Sequence, residues 1–531
     1  MKFPRLSFLP ALLLLPAFYS GQNIPPFAIN VCASSSAGFY FLVPLNTSSG
    51  NSWNQLILDE KGNVVYYKEF TNSHPGDFKI HPDGRMSYGY GAQFFIMDST
   101  FTVLDSFTCQ NGILHDGHDI QLLSNGNVLL LGIENVPMDL SMYQFFGPNH
   151  NLPGSVNATV KCGVIQEQDA NHNVVFEWHA KDHYAFDDVT EEWLGSPANV
   201  DWTHFNAIES DTDGNILVSV RHFNEITKIS RSTGSIIWRM GGNENQFTFT
   251  NDPQMFKGQH DIRRIPNGNL TMLDNGDAGP PFHPVAGKEY NINVSSMTAT
   301  LIWNYSETPS VYSLAIGNMQ RLANGNSLIN YGFTPGQTLM FNVIDSTGGK
   351  IFEIEFADTL RTYRAFNYLS LPWLLPRPQI TCFMVGSQYF LDAGSGHASY
   401  LWSTGATTQT IPVMAADTFS VFVPLGQGGF LRSHYFIVSD LLNPCGPAGI
   451  FNAQPQHFSV YPIPATNEIR ISLQSPFADR INVNITDISG RKIFSKLESP
   501  SNGRLILDVS DLSPGTYFIQ VDGITRIFVR M

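Results

Sequence analysis

The sequence predicts an all-β chain: a six-bladed β-propeller followed by two small β-sandwich domains. Three observations carry this. Short runs of alternating Val, Ile and Leu are punctuated by Lys61-Gly62-Asn63, Asn125-Gly126-Asn127, Asp213-Gly214-Asn215, Asn267-Gly268-Asn269 and Asn324-Gly325-Asn326, and Asn-Gly or Asp-Gly supplies the positive φ that tight hairpins need. Two hairpin forms alternate, x-I-x-x-(D/N)-G-N-x-(L/V) and D-x-x-G-x-(I/V)-x-(F/W/Y), and a pair of them makes the four strands of a blade. Charged residues are only 14 % and aromatics 12 % of the chain, well under the charged fraction of about 25 % in an average domain. Polar surface must therefore come from Asn, Ser, Thr, Gln and Gly, as in a turn-rich β chain.

Taken in order, the 531 residues suffice for several domains. Residues 1–20 combine Lys2 and Arg5 with an apolar run and a small-residue exit at Ser20 and Gly21. That is the pattern of a secretory signal peptide, and the run is too short, and too interrupted by Pro10 and Pro16, to span a bilayer. No later apolar run is long enough to serve as a transmembrane segment. Blades are expected over 33–371, with room for about six, five and seven being the neighbouring counts. The uneven spacing of Gly126, Gly214, Gly268 and Gly325 requires insertions, the largest between the first two. A single hairpin cannot bury its apolar face, whereas radial stacking of blades buries both faces. A sandwich would not repeat one hairpin so often, and a solenoid would keep a stricter period.

After the proline-bearing connector SLPWLLPRPQ, residues 378–440 read as short strands around Trp402, which is expected to be a core residue. The pattern LDAG…YLWSTGATTQTI resembles Ig-like modules of secreted bacterial proteins. Residues 458–531 contain YPIPATN, DISGR and LSPGTYFI and end in Phe528, Val529, Arg530 and Met531. This segment resembles the C-terminal sorting domain of the type IX secretion system of Bacteroidetes, which implies the secretion machinery as partner and a secreted or cell-surface protein that leaves by way of the periplasm. Five cysteines leave at least one unpaired. Cys109 with Cys162, or Cys382 with Cys445, are the pairings open to an exported chain. A net charge of -15 excludes nucleic acid and anionic membrane as main partners.

Chemistry is expected where strands meet turns. One group is His115, Asp116, His118 and Asp119; a second is Asp201, His204 and Asn206 with Arg221 and His222; a third is Gln259, His260 and Asp261. His118, His204 and His260 stand at similar distances before their Gly turns, so equivalent strands deliver them to one end of the central channel. Imidazoles beside a guanidinium suit an anionic substrate: arginine offers a planar fork to sulfate or phosphate oxygens, and histidines can attack and move protons. A metal site is the competing reading, although neither HxH nor HExxH occurs at these positions. A single His-Asp pair can also be a turn cap, and two HDI copies weaken that reading. Trp178 and Trp238 read as packing between blades, and Asp187, Asp188, Glu191 and Glu192 as a solvated loop.

The strings ILDEKGNVVYY, GHDIQLLSNGNVLLLG, DWTHFNAIESDTDGNILVSVRHFNEITKISRSTGSIIWRMGG, GQHDIRRIPNGNLTMLDNG and NMQRLANGNSLINYG, with TYRAF near the end, resemble the arylsulfotransferase family, secreted six-bladed propellers. The resemblance implies transfer of a sulfuryl group from a phenolic sulfate donor to a phenolic acceptor by a ping-pong route, with no nucleotide donor and no cofactor. It implies His260 as the nucleophile, His118 and His204 as groups that bind sulfuryl oxygens and assist proton transfer, and Arg221 as the balancing charge. Asn206 and Asn318 are implied to be substrate-binding. The N-terminal domain of familiar members is expected to be missing, and VAGKEYNINV departs from the family string after the DNG turn. The alternative function is a non-catalytic cell-surface propeller that binds a glycan or protein.

Overall fold

The computed structural model describes residues 24–530, apart from 47–51, 74, 147–150, 191–193, 278–281, 357–359, 442–444, 446–457, 462–464, 474–480, 488–490, 501–503 and 522–523. The expected signal peptide, Glu191 and Glu192 thus lie outside the described residues. Strands dominate, and no α-helix occurs among the described residues. Among the described residues no helix is long and apolar enough to cross a membrane. The chain divides into two units, one running to Asn367 apart from Asp98–Thr102, and the other holding Asp98–Thr102 and the chain from Tyr368 onward.

Among the described residues the first unit contains six sheets, each built on four antiparallel strands. Five of them follow the chain, over 76–107, 114–179, 205–241, 260–305 and 318–356, the last with Phe27–Cys32 added at its edge. In the sixth, Leu360–Tyr368 joins Phe39–Asn46, Ser52–Leu58 and Val64–Thr71, so the end of the unit completes a sheet begun near its start. Gly62, Gly84, Gly126, Gly214, Gly268 and Gly325 take φ between +77° and +89°, the conformation for which the turn motifs select glycine. Apolar faces are buried between successive sheets: Trp178 packs with Phe205 and Val218 from the next sheet, and its indole donates to the Gly234 carbonyl at 2.8 Å. Trp238 joins a second such layer with Ile262, Leu270 and Met272. The large gap before Gly214 holds a hairpin of Gln144–Phe146 with Asn151–Pro153 and two short 3-10 turns.

One terminal strand of each sheet faces the next sheet around the ring; in chain order these are β1 (Gly76–Ile80), β2 (Leu114–Leu122), β3 (Phe205–Ser210), β4 (His260–Arg264), β5 (Asn318–Arg321) and β6 (Leu360–Tyr368). Polar contacts link them in succession. Lys79 of β1 pairs with Asp119 of β2 at 2.6 Å, and Asp119 accepts from the Ile208 amide of β3 at 3.0 Å. Arg263 of β4 donates to the Ile208 carbonyl at 2.9 Å. The Ile316 amide, just before β5, donates to His260 of β4 at 3.1 Å. Asn318 of β5 donates to the Ala365 carbonyl of β6 at 2.7 Å, and Arg364 of β6 returns to Asp77 of β1 at 2.8 Å.

In the second unit, Trp402 is fully buried among Leu391, Ile411, Val421 and Val438 and its indole donates to the Thr408 carbonyl at 2.7 Å, the core role expected for it. Cys382 and Cys445 form a disulfide. Cys109 and Cys162 are free, buried thiols that belong to separate apolar clusters and turn to the Leu131 and Val160 carbonyls. The C-terminal segment is a sandwich of a three-stranded and a four-stranded sheet around Ile469, Ile471, Val483, Ile485 and Ile519.

Candidate active site

The ends of β2, β3 and β4 carry the histidines, and each of these strands is irregular where its histidine sits. Ladder register slips between His115 and Ile120, between Phe205 and Ala207 and between His260 and Arg263. A bulge re-aims successive side chains. The HDI motif is thereby split: His118 and His260 turn to the site, while Asp119 and Asp261 turn into the charged hub described below. His204 itself sits at φ +49° and Asp261 at φ +60°, left-handed conformations that non-glycine residues hold only where the surroundings enforce them.

The structure brings His118, His204, His222, His260 and Arg221 together. The rings of His118 and His204 are 5.0 Å apart and those of His204 and His222 4.7 Å. Every one of these imidazoles spends Nδ1–H on an oxygen. His118 donates to the Asp116 carboxylate, His204 to Asp201 at 2.7 Å, and His222 to the Asp201 carbonyl at 2.6 Å. His260 donates to Asn275 Oδ1 at 2.7 Å and to the Gly258 carbonyl at 2.9 Å. Arg221 lies in the turn Arg221–Phe223 that follows Ile216–Val220. Its Nη2 donates to the Leu314 carbonyl at 2.9 Å, and its amide donates to the His204 carbonyl at 3.1 Å.

The tautomer of His260 follows from its neighbours. Asn275 Nδ2 donates to the Ile316 carbonyl at 2.9 Å and to Ser313 Oγ at 2.8 Å. The amide oxygen therefore faces His260, whose Nδ1 must carry the proton. The lone pair is left on Nε2. Asn224 holds this turn from the other side by accepting from the Gly258 amide at 2.6 Å. Burial, and then the Arg221 charge, hold His260 well below the ordinary imidazole value, so it is neutral at neutral pH. Burial also works against the charge of His118, yet the Asp116 carboxylate outweighs it and raises this group. His204 is lowered by burial in spite of Asp201, and burial with the His204 and Arg221 charges brings His222 to about 3. Neighbouring groups pushed apart in this way are suited to opposite acid and base roles.

Asn206 and Asn318, implied by resemblance as substrate-binding, are placed differently. Both are fully buried. Asn206 donates to the Gln259 carbonyl at 2.7 Å while its Oδ1 is buried without a partner among the described residues, and Asn318 donates to and accepts from the Ala365 backbone, so the donor end of Asn206 and both ends of Asn318 hold the scaffold. His115 stands apart from the cluster, edge-on to Phe94. Asp201, His204 and His222 bring ligand atoms within 4.8 Å of one another, a set that could hold a metal, with the histidine Nδ1 atoms already committed to Asp201. Asn275, Asn224 and Arg364 carry no site or hub signal in their local sequence. Asn275 lies in the LDNG string, where asparagine before glycine is fully accounted for as a turn residue.

A cavity of about 210 Å³ opens beside His118 and His204, with Ile133, Cys162, Phe205 and Lys161 among its walls. His260 and Arg221 are not among its lining residues.

An arylsulfotransferase family model matches residues 29–364, and a secretion system C-terminal sorting domain model matches 459–530. No curated protein matches the chain significantly. Among solved structures, a protein of unknown function from Bacteroides caccae is 13 % identical, with 62 % of this chain and 98 % of that one covered and a TM-score of 0.39. A catalytically inactive virginiamycin B lyase from Staphylococcus aureus with quinupristin is 11 % identical, covering 69 % and 95 %, at a TM-score of 0.32. A protein of unknown function from Dyadobacter fermentans is 9 % identical, covering 77 % and 100 %, again at 0.32. Likeness at this level carries no inference about activity.

Proposed function

Because the chain belongs to the arylsulfotransferase family, we propose that it moves a sulfuryl group from a phenolic sulfate ester to a phenolic acceptor through a sulfurylated His260. The sorting domain takes the protein to the cell surface or beyond it, which agrees with a reaction that needs no nucleotide donor. The observation that carries the reading is the fixed tautomer of His260: Nδ1–H is held by Asn275 and Gly258, which leaves the lone pair on Nε2, where it accepts from the Ile316 amide.

In the first half-reaction His260 Nε2 attacks sulfur, the S–N bond forms and the S–O(aryl) bond breaks. The departing aryloxide takes a proton from His118, whose Asp116 partner favours the imidazolium. The sulfurylated ring carries a positive charge, which the Nδ1–H bonds to two oxygens stabilise. Arg221 balances the sulfuryl oxygens as a planar cation. In the second half-reaction the acceptor hydroxyl gives its proton to neutral His118 as its oxygen attacks sulfur. The N–S bond breaks, and His260 regains its lone pair. Attack requires Nε2 to exchange the Ile316 amide for sulfur.

Intact mass spectrometry after brief exposure to an aryl sulfate tests this directly. The expected result is a gain of one sulfuryl group, absent from His260→Ala and lost when a phenol is added. An unmodified wild-type protein across a broad donor panel counts against the proposal. The Asp201, His204 and His222 grouping favours a metal-dependent second reading, for which stoichiometric metal and loss of activity on chelation are the signature.

A further inference from the structure

The cavity beside the two histidines has walls of two kinds. Ile133, Cys162 and the Phe205 ring are apolar, and His118 and His204 form one end. Phe205 takes its place because residue 163 is glycine: a Cβ there would come within 2.4 Å of the Phe205 ring. A dry apolar cavity of about 150 Å³ holds benzene, so the volume of about 210 Å³ matches one aromatic ring with a small substituent. Its single lysine is Lys161, exposed on the strand Ala158–Gln168 and paired in parallel register with Asp201. The Asp201 carboxylate is engaged by His204 and Asp116 by His118. Among the described residues the Lys161 ammonium makes no hydrogen bond or close ion pair; its charge is felt by Asp201, a carboxylate already held by His204.

Resting on the transfer reading above, we infer that this cavity is the phenol subsite and that Lys161 selects monocyclic phenols bearing an anionic substituent. A ring between Ile133 and Phe205 directs its hydroxyl to His118 and His204. A charged substituent on the ring then meets the Lys161 ammonium at the cavity wall. A cationic substituent there is disfavoured by like charge.

The test is equilibrium binding of the full chain, by ligand-observed NMR, to three phenols that differ only in the para group: carboxylate, hydroxymethyl and aminomethyl. The carboxylate is expected to bind tightest and the amine weakest. Lys161→Met should weaken the carboxylate about fivefold, as for an exposed ion pair, and leave the neutral phenol unchanged. Lys161→Glu should invert the order. The same ranking in all three proteins overturns the inference, as does failure of all three phenols to bind. Sulfurylation of wild-type His260 is read separately by mass. Charge-ranked binding without that mass gain keeps the subsite and overturns the transfer reading instead.

Discussion

Asn275 decides which nitrogen of His260 can act. A neutral acceptor at Nδ1 fixes the tautomer and favours the imidazolium too little to offset burial and the Arg221 charge, whereas the carboxylate of Asp116 at the same atom of His118 outweighs burial. On the proposed mechanism His260 attacks and His118 supplies the proton, a division to which these two partners contribute along with burial and Arg221. Asn275→Asp is expected to raise the His260 pKa, since a carboxylate stabilises the charged ring. Less of the enzyme is then in the attacking form at low pH, and the acidic limb of the kcat/KM profile moves upward. Asn275→Ala, with the ring free to turn, should cost about 10-fold or more in kcat and, because the lost hydrogen bond favours the imidazolium, shift that limb the other way, to lower pH. Coincident pH profiles for wild type and Asn275→Asp would remove Asn275 from the mechanism. The histidines were legible because three copies of one turn motif carry them. Asn275 was not, because its partner is 15 residues away in sequence and its local context already explains it.

At the scale of the strand, the alternation of hairpins was readable from glycine placement, but the bulges were not. A bulge on β4 separates His260 from Asp261, so two adjacent residues of one motif belong to different structures. The pattern HDI, taken as evidence of one site, is a site residue followed by a hub residue. Asn318 shows the same limit. Its resemblance to a family polar position suggests substrate, yet both ends of its amide hold the Ala365 backbone and join β5 to β6. Asn318→Ala should therefore lower stability by about 2 kcal/mol or more, the cost of leaving buried backbone groups unpaired, while KM for donor and acceptor stays at the wild-type value. Chemical denaturation and steady-state kinetics measure the two effects separately. A raised KM at unchanged stability would restore the substrate-binding role.

Across the whole propeller, the channel below the histidines is filled with charge. Arg364, fully buried on the closing strand, reaches Asp77 at 2.8 Å, Asp119 at 3.1 Å and Asp261 at 3.3 Å. Arg263 adds Asp119 and Asp261, each at 2.8 Å. The strands β1, β2, β4 and β6 are thus tied through side chains that no hairpin pattern reveals, since the partners lie on different blades and Arg364 sits far from the others in sequence. Glu209, at the rim of this network, is pushed from its ordinary 4.5 up to about 7 by burial, partly offset by Arg263 and reinforced by Asp119 and Asp261. The folded protein holds a proton there that the unfolded chain releases above 4.5. Folded binding of the extra proton means that this stability is full below the unfolded value and is lost as pH rises through about 7. Glu209→Gln removes the titration. Its urea midpoint should fall less than that of wild type between about pH 5 and about pH 8, the interval that brackets the shift. Parallel profiles would mean that Glu209 titrates alike in the folded and unfolded chain, and that the hub holds its acidic balance at another carboxylate.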